Sequence, residues 1–300
     1  MTDYGHDLLF GSFLTPSAAE PQAVVELTQL SERVGLDLAT FQDHPYQPAF
    51  LDTWTLLSYL GAVTGSIHLA PNVANLPLRN PAVLGRSAAS LDRLTGGRVA
   101  LGLGAGAFWE AIDAMGGRRL SPGQAVGALA EAIDIIRGVW DVTDRHPLRV
   151  DGEVHRVAGA KRGPAPAHPV PIWLGAYRPR MLALVGAAAD GWLPSLGHLE
   201  LAGVPSQHDA VDEGAYEAGR SPRDIRRLLN VSGQVTSQSG GLLVGPVNQW
   251  VEELTDLALV HGFSAFILGG DDRRAIEVLA AEIAPEVRAR VAAERGARSA

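Results

Sequence analysis

A (β/α)8 barrel is the fold this sequence predicts, and three observations predict it. Eight short apolar runs alternate with eight segments of helical period along the 300 residues. The runs carry few charges, as parallel strands covered on both faces by helices require. No stretch has the composition of a linker, so residues 1–300 read as a single domain.

The elements follow in order. Leu8–Phe13 is the first apolar run, and Glu20-Pro21 opens a helix whose Val24, Leu27, Leu30 and Val34 share one face before Gly35 stops it. Leu36–Gln42 is the second strand, Thr53–Val63 a helix, and Ile67–Val73 the third strand. Pro81–Leu94 is helical, and Gly96-Gly97 turns the chain into the strand Arg98–Leu103. Ser121-Pro122-Gly123-Gln124 is a capping box with Pro at the first helical position, and Val126, Leu129, Ala130, Ile133 and Ile136 continue that helix to Trp140. Asn80-Pro81, Ser221-Pro222 and Gly245-Pro246 read as helix starts of the same kind. Val170–Gly175 is a strand, Arg178–Ala187 a helix, Gly191–Pro194 a short strand, and Gln207–Ala218 a helix. Leu228–Gln234, the helix Pro246–His261, the strand Ala265–Leu268 and the helix Asp272–Glu294 complete the set.

Three segments break the alternation. Gly104–Leu120, after the fourth strand, is long for a βα connection. Arg149–Val157, before the fifth strand, reads as an inserted hairpin centred on Asp151-Gly152. Thr236–Gly245 is rich in Ser and Gly and is expected to be mobile.

Composition excludes several functions. There is no Cys, which removes disulfides, thiolate metal sites and Cys nucleophiles. The net charge of −8 leaves no basic surplus for a phosphate backbone, so nucleic acid is not an expected partner. Thr53–Leu78 holds no charged residue, but its Gly61, Gly65, Pro71 and Pro77 make it a helix, turn and strand, not a membrane span. Met1–Asp7 has neither a basic cluster nor an apolar run, so no signal peptide and a cytoplasmic location are expected.

In a barrel the loops that follow the strands carry the chemistry. The second strand ends in Gln42-Asp43-His44-Pro45. His44 at that position can act as acid, base or hydrogen-bond donor near neutral pH, or as a structural imidazole bonded to Asp43 or the backbone. Asn72 and Asn75 lie where the third strand reaches the mouth and can read the polar edge of a ring, or simply serve the turn. Gly102-Leu103-Gly104-Ala105-Gly106-Ala107 matches a dinucleotide fingerprint, but no clean helix and no acid-ended strand follow it. Glycines there let a flat ring or a phosphate approach the backbone. The fifth strand ends in Gly175-Ala176-Tyr177-Arg178, a glycine turn feeding a helix N-terminus, which suits an anion; an ordinary turn with exposed arginines is the plainer alternative. The nine His residues form no metal-binding spacing, so no metal is expected.

Taken together, Asp43-His44-Pro45, Leu91-Asp92-Arg93-Leu94-Thr95-Gly96-Gly97-Arg98 and Ala189-Asp190-Gly191-Trp192 resemble the bacterial-luciferase-like monooxygenase family over residues 8–290. The resemblance implies a (β/α)8 barrel that binds FMN or coenzyme F420 at its mouth. It also implies a non-prolyl cis peptide near Asn72-Val73, with the ring over the ends of strands three and four and its phosphate by Gly175, Ala176 and Tyr177. On that pattern Asn72, Val73, Asn75, Gly104 and Gly106 join those three residues as cofactor-binding positions, and His44 is catalytic. Sugar-phosphate dehydrogenases of the family have a Trp four residues after this His and a Glu after the strand-four glycines. Here Pro48 and Ala107 stand there, with Glu110 the nearest acid, so neither that acid's role nor that substrate carries over. Tyr46, Phe50, Phe108 and Trp109 would instead give an aromatic pocket for a hydrophobic or aromatic small molecule, with plain loop packing as the alternative.

The expected activity is hydride transfer or monooxygenation, with FMN and F420 of similar standing. Lys161 is the single Lys among 25 basic residues, a high-GC composition that goes with F420, while the missing Trp and Glu speak against it. A monooxygenase would need a separate flavin or F420 reductase, and a homodimer is the family's usual assembly. The rival readings are a non-catalytic flavin- or deazaflavin-binding barrel acting as carrier or sensor, and an NAD-dependent dehydrogenase, which needs an open doubly wound sheet.

Overall fold

The computed structural model describes residues 3–299. Met1, Thr2 and Ala300, the outermost residues of the expected domain, lie outside the described residues, and so does the start of the segment read above for a signal peptide. In chain order the elements are β1 Leu9–Leu14, α1 Pro21–Arg33, β2 Leu38–Phe41, α2 Thr53–Val63, β3 His68–Pro71, β4 Ala74–Asn75 and α3 Pro81–Thr95. Then come β5 Leu101–Gly104, α4 Trp109–Ala114, α5 Pro122–Trp140, β6 Leu148–Asp151, β7 Arg156–Ala160, β8 Ile172–Leu174 and α6 Pro179–Ala188. The chain finishes with β9 Gly191–Trp192, α7 Val204–Glu217, β10 Arg226–Val231, β11 Gln234–Val235, β12 Val244–Gly245, α8 Val247–Leu259, β13 Ala265–Gly269, α9 Arg273–Val278 and α10 Ala284–Ser299.

The main sheet runs β3-β2-β1-β13-β10-β9-β8-β5-β4, and every pairing in it is parallel. Its two ends, β3 and β4, are halves of one strand interrupted at Asn72-Val73. A parallel bridge between Leu69 and Val99 joins β3 to the approach of β5 and closes the ring. Eight barrel strands result, as the alternation predicts, and a closed barrel removes the open sheet that an NAD-dependent dehydrogenase requires.

Local chemistry accounts for the helix starts. Both bonds of the Ser121/Gln124 capping box are made, and Asn80 accepts from the N–H groups of Ala82 and Val83. Gly96 ends α3 in the left-handed conformation at φ 72°. The inner strands are buried through Phe10, Phe41, Leu101, Ile172, Leu229 and Phe266, all fully inaccessible. Among the described residues no helix is long and apolar enough to cross a membrane. Among the same residues no cluster of three or more His, Asp or Glu is placed to hold a metal.

Some boundaries differ from expectation. Ser221-Pro222 opens only a 3-10 turn over Pro222–Asp224, because Arg226 already enters β10. The Gly104–Leu120 loop contains the short helix α4. The hairpin is present as β6–β7, but its loop is Gly152–His155, held by three residues whose N–H groups donate to Glu131. The last helical region is broken by a π-helical turn at Leu279–Ile283 and runs on to Ser299. Thr236–Leu242 is exposed, yet the segment is anchored by the β11–β12 pair and by fully buried Leu243, whose N–H meets Glu253 at 2.6 Å.

Candidate active site

His44 follows β2 at the barrel mouth. Its neighbour Asp43 is 1% exposed, and its carboxylate is fully engaged. It accepts from the Asn75 N–H at 2.9 Å and from Arg79 Nε and Nη2 at 2.6 Å each. Arg79 also reaches Asp52 at 2.7 Å, and Asp52 caps α2. This clamp ties the ends of β2 and β4 to the start of α2 and leaves His44 out. The imidazole has no hydrogen-bond partner among the described residues, so it is not the structural imidazole of the alternative reading. Its ring stacks on Tyr46 at 5.3 Å and Phe50 at 6.4 Å and meets Phe108 edge-on at 5.6 Å. Burial pulls its pKa below the ordinary imidazole value, and nearby Asp43 opposes that shift. The group is therefore neutral at neutral pH, which suits a base better than an acid.

The Asn72-Val73 peptide is cis, at the expected bond. Asn72 points into the barrel and pairs with Asn230 of β10, donating at 2.7 Å and accepting at 3.1 Å. Asn72 also donates to Thr40 Oγ1 at 3.2 Å, and Asn230 to Ser195 Oγ at 3.1 Å. Both donor hydrogens of each amide are thereby used. Asn72 thus belongs to a polar belt beneath the mouth, whereas Asn75 stays free. Asn75 is 6% exposed, its Oδ1 is buried without a partner, and its amide makes no side-chain hydrogen bond. A buried, unanswered amide costs stability unless a ligand answers it.

The glycines at the end of β5 make room for side chains. A Cβ on Gly104 would sit 2.6 Å from Val73 Cγ2. One on Gly106, at φ +95°, would sit 2.8 Å from Pro77 and 3.1 Å from Trp109. Val73 therefore lies flat over β5, with Gly175 on its far side, where a Cβ would have ordinary 3.7 Å clearance. At the β8 end Ala176 is buried and its carbonyl accepts from Trp192 Nε1 at 2.9 Å. The Tyr177 hydroxyl accepts from the Ser195 N–H at 2.9 Å, which fixes the turn before α6.

The structure brings His44, Tyr46, Phe50 and Phe108 together and places Val73, Asn75, Gly104 and Gly175 across the same mouth. Trp109 does not join the aromatic group. It turns inward onto the cluster of Leu120, Ala125 and Ala128, because Gly106 leaves space for it. Sequence reasoning missed Asn230, Ser195, Thr40 and Arg79. Asn230 left a trace, being the one polar residue in the apolar run Leu228–Val231.

A sequence model of the luciferase-like monooxygenase family matches residues 3–239. The chain belongs to that family. Its relatives include the F420-dependent glucose-6-phosphate dehydrogenase of Nocardia farcinica, 32% identical over 75% of this chain and 68% of that protein. The 5,10-methylenetetrahydromethanopterin reductase of Methanolobus tindarius is 34% identical over 67% of this chain and 58% of its own length. The chain thus spans little more than half to two thirds of these relatives. Among solved structures, an F420-dependent secondary alcohol dehydrogenase bound to an F420–acetone adduct has the same fold. Its TM-score is 0.83 over 94% of this chain and 99% of that one, at 18% identity.

The donor set at the mouth fits a flavin-type ring. Asn75 offers an unpaired amide to the alternating donors and acceptors of a pyrimidine edge, Val73 offers an apolar bed, and the Gly175–Tyr177 turn leads to the N-terminus of α6.

Proposed function

We propose that this chain is an F420-dependent oxidoreductase that transfers hydride between the cofactor and a hydrophobic or aromatic small organic molecule. The observation that carries the reading is the buried, unpartnered Asn75 Oδ1 at the end of β4, where the Asn75 N–H bonds Asp43, the neighbour of His44 and its aromatic group. Kinship with curated F420-dependent enzymes supports F420 over FMN. When bound, the cofactor accepts or gives a hydride, which is the hard part of the chemistry. Val73 and Asn75 orient the ring, the turn at Gly175–Tyr177 holds its phosphate, and Tyr46, Phe50 and Phe108 exclude water around the substrate. His44 would take the hydroxyl proton of a bound alcohol, whose carbinol-carbon hydride would go to the oxidised cofactor, leaving a ketone or aldehyde. A neutral imidazole favours that direction at neutral pH. The same reading has the chain as a cytoplasmic, single-domain homodimer without need of a reductase.

The test is anaerobic reduction of F420 with a panel of secondary and aromatic alcohols. Turnover of at least one, lost by about a hundredfold or more in His44→Ala with F420 binding retained, is the expected result. Because the His44 pKa is lowered, the acid limb of kcat/KM should lie below about 6.5. Turnover unchanged in His44→Ala removes His44 from the mechanism. Cofactor binding without turnover of any substrate supports the carrier or sensor.

A further inference from the structure

Four arginines gather on one rim of the mouth, between the ends of β5 and β8. Arg178 caps α6 and Arg180 stands in its first turn; both are exposed and have no side-chain partner among the described residues. The Arg180 Nη1 atom lies 3.4 Å from where a Cβ on Gly123 would sit, so it rests against the first turn of α5. Arg118 and Arg119 are exposed just before that turn. Arg118 lines a cavity of about 160 Å³ shared with Ala105 and Pro77, and has no partner of its own. Arg119 has only a loose 3.8 Å contact to Glu110, with both groups well exposed. The other acids nearby are Asp113 of α4 and Glu153, which is occupied by Gln124 at 2.9 Å. Such clustering runs against the chain's net charge of −8.

Arg79, also near the mouth, is consumed by the fold through Asp43 and Asp52. This rim is not, and it begins where the Gly175–Tyr177 turn ends. FMN terminates at its phosphate, whereas F420 continues past its phosphodiester into a lactyl and oligoglutamyl arm with several carboxylates. We propose that Arg118, Arg119, Arg178 and Arg180 form a docking strip for that polycarboxylate arm. The proposal rests on the F420 reading and adds to it the feature that separates F420 from FMN. Guanidinium groups suit the task because each offers a planar fork of donors to a carboxylate and stays charged at any working pH.

The experiment is a fluorescence titration of the full chain with F420, with its arm-less deazariboflavin chromophore and with FMN, at low and high salt. Wild type is compared with Arg178→Gln/Arg180→Gln and with Arg118→Gln/Arg119→Gln, and thermal melts check the fold of each. Each double variant is expected to weaken F420 by about fivefold to tenfold and to leave the arm-less chromophore unchanged. High salt should do the same to wild type, because exposed ion pairs are screened. Equal loss for F420 and the arm-less chromophore, or no loss for either, overturns the strip while the F420 reading stands. Failure of wild type to bind either deazaflavin overturns both.

Discussion

Arg227, near the start of β10, is 0% exposed, and Asn75, at the finish of β4, is 6% exposed. Their surroundings differ in kind. Arg227 donates to Asp212 at 2.5 Å, to His208 Nδ1 at 3.2 Å and to the Ile225 carbonyl at 2.7 Å, and Tyr4 covers it at 4.3 Å. The Tyr4 hydroxyl in turn donates to Asp212 at 2.8 Å, and His208 Nε2 donates to the His261 carbonyl at 2.7 Å. At the same end Arg98 uses all its N–H groups on Thr64 and on the carbonyls of Gly61, Thr64, Ile67 and Thr95. Asn75 has nothing comparable. The two arginines buried where the strands begin are fully answered and hold the barrel; where the strands finish, the Asn75 amide and the His44 imidazole are left for something else.

The largest effect that could break this contrast is at Arg227. Arg227→Met strands Asp212 and His208, and should cost about 3 kcal/mol in denaturant unfolding while the folded fraction keeps its kcat. A loss of kcat without a loss of stability would erase the distinction between the two ends. The next effect is pH dependence. Burial, helped by the Arg227 charge, pulls His208 down to about 4. As pH falls, the unfolded chain takes up that proton first, so stability is full above about 6.5 and declines toward pH 4 by up to about 3 kcal/mol. His208→Gln should flatten that decline in urea titrations across the range, and an unchanged slope would remove His208 as its source.

At the mouth the sign reverses. Asn75→Leu should leave stability equal or higher, since the amide is unanswered, and weaken F420 by about threefold to tenfold in a binding titration. A destabilised variant with unchanged affinity would mean that Asn75 serves the fold. The smallest effect is Tyr177→Phe. It removes the acceptor of the Ser195 N–H and should cost about 0.5–1 kcal/mol of stability, read from the denaturant midpoint.

The sequence made the barrel legible because its strands are short apolar runs and its helices carry explicit caps, such as Ser121/Gln124 and Asn80. It also placed His44, Asn75 and Gly175 at strand ends, where periodicity alone puts them at the mouth. It could not tell Asn72 from Asn75, although they are three residues apart. Which amide is spent depends on Asn230, 158 positions away. Trp109 misled for a related reason, since its direction is set by the space at Gly106 and not by its own segment. The Asp43–Arg79 clamp was hidden because an Arg after Leu76-Pro77-Leu78 looks like any solvated loop residue. Long-range pairing of polar groups has no period, and only the folded chain reveals it.

The most direct test of the open mouth is thermal unfolding of wild type and Asn75→Leu with F420 or FMN in large excess. F420 at about a hundred times its Kd should stabilise wild type by about 2.7 kcal/mol, seen as a clear rise in Tm, with a smaller rise for Asn75→Leu and for FMN. No shift of wild type with either cofactor would contradict the account, because the unanswered groups at the mouth would then not be waiting for a flavin-type ring.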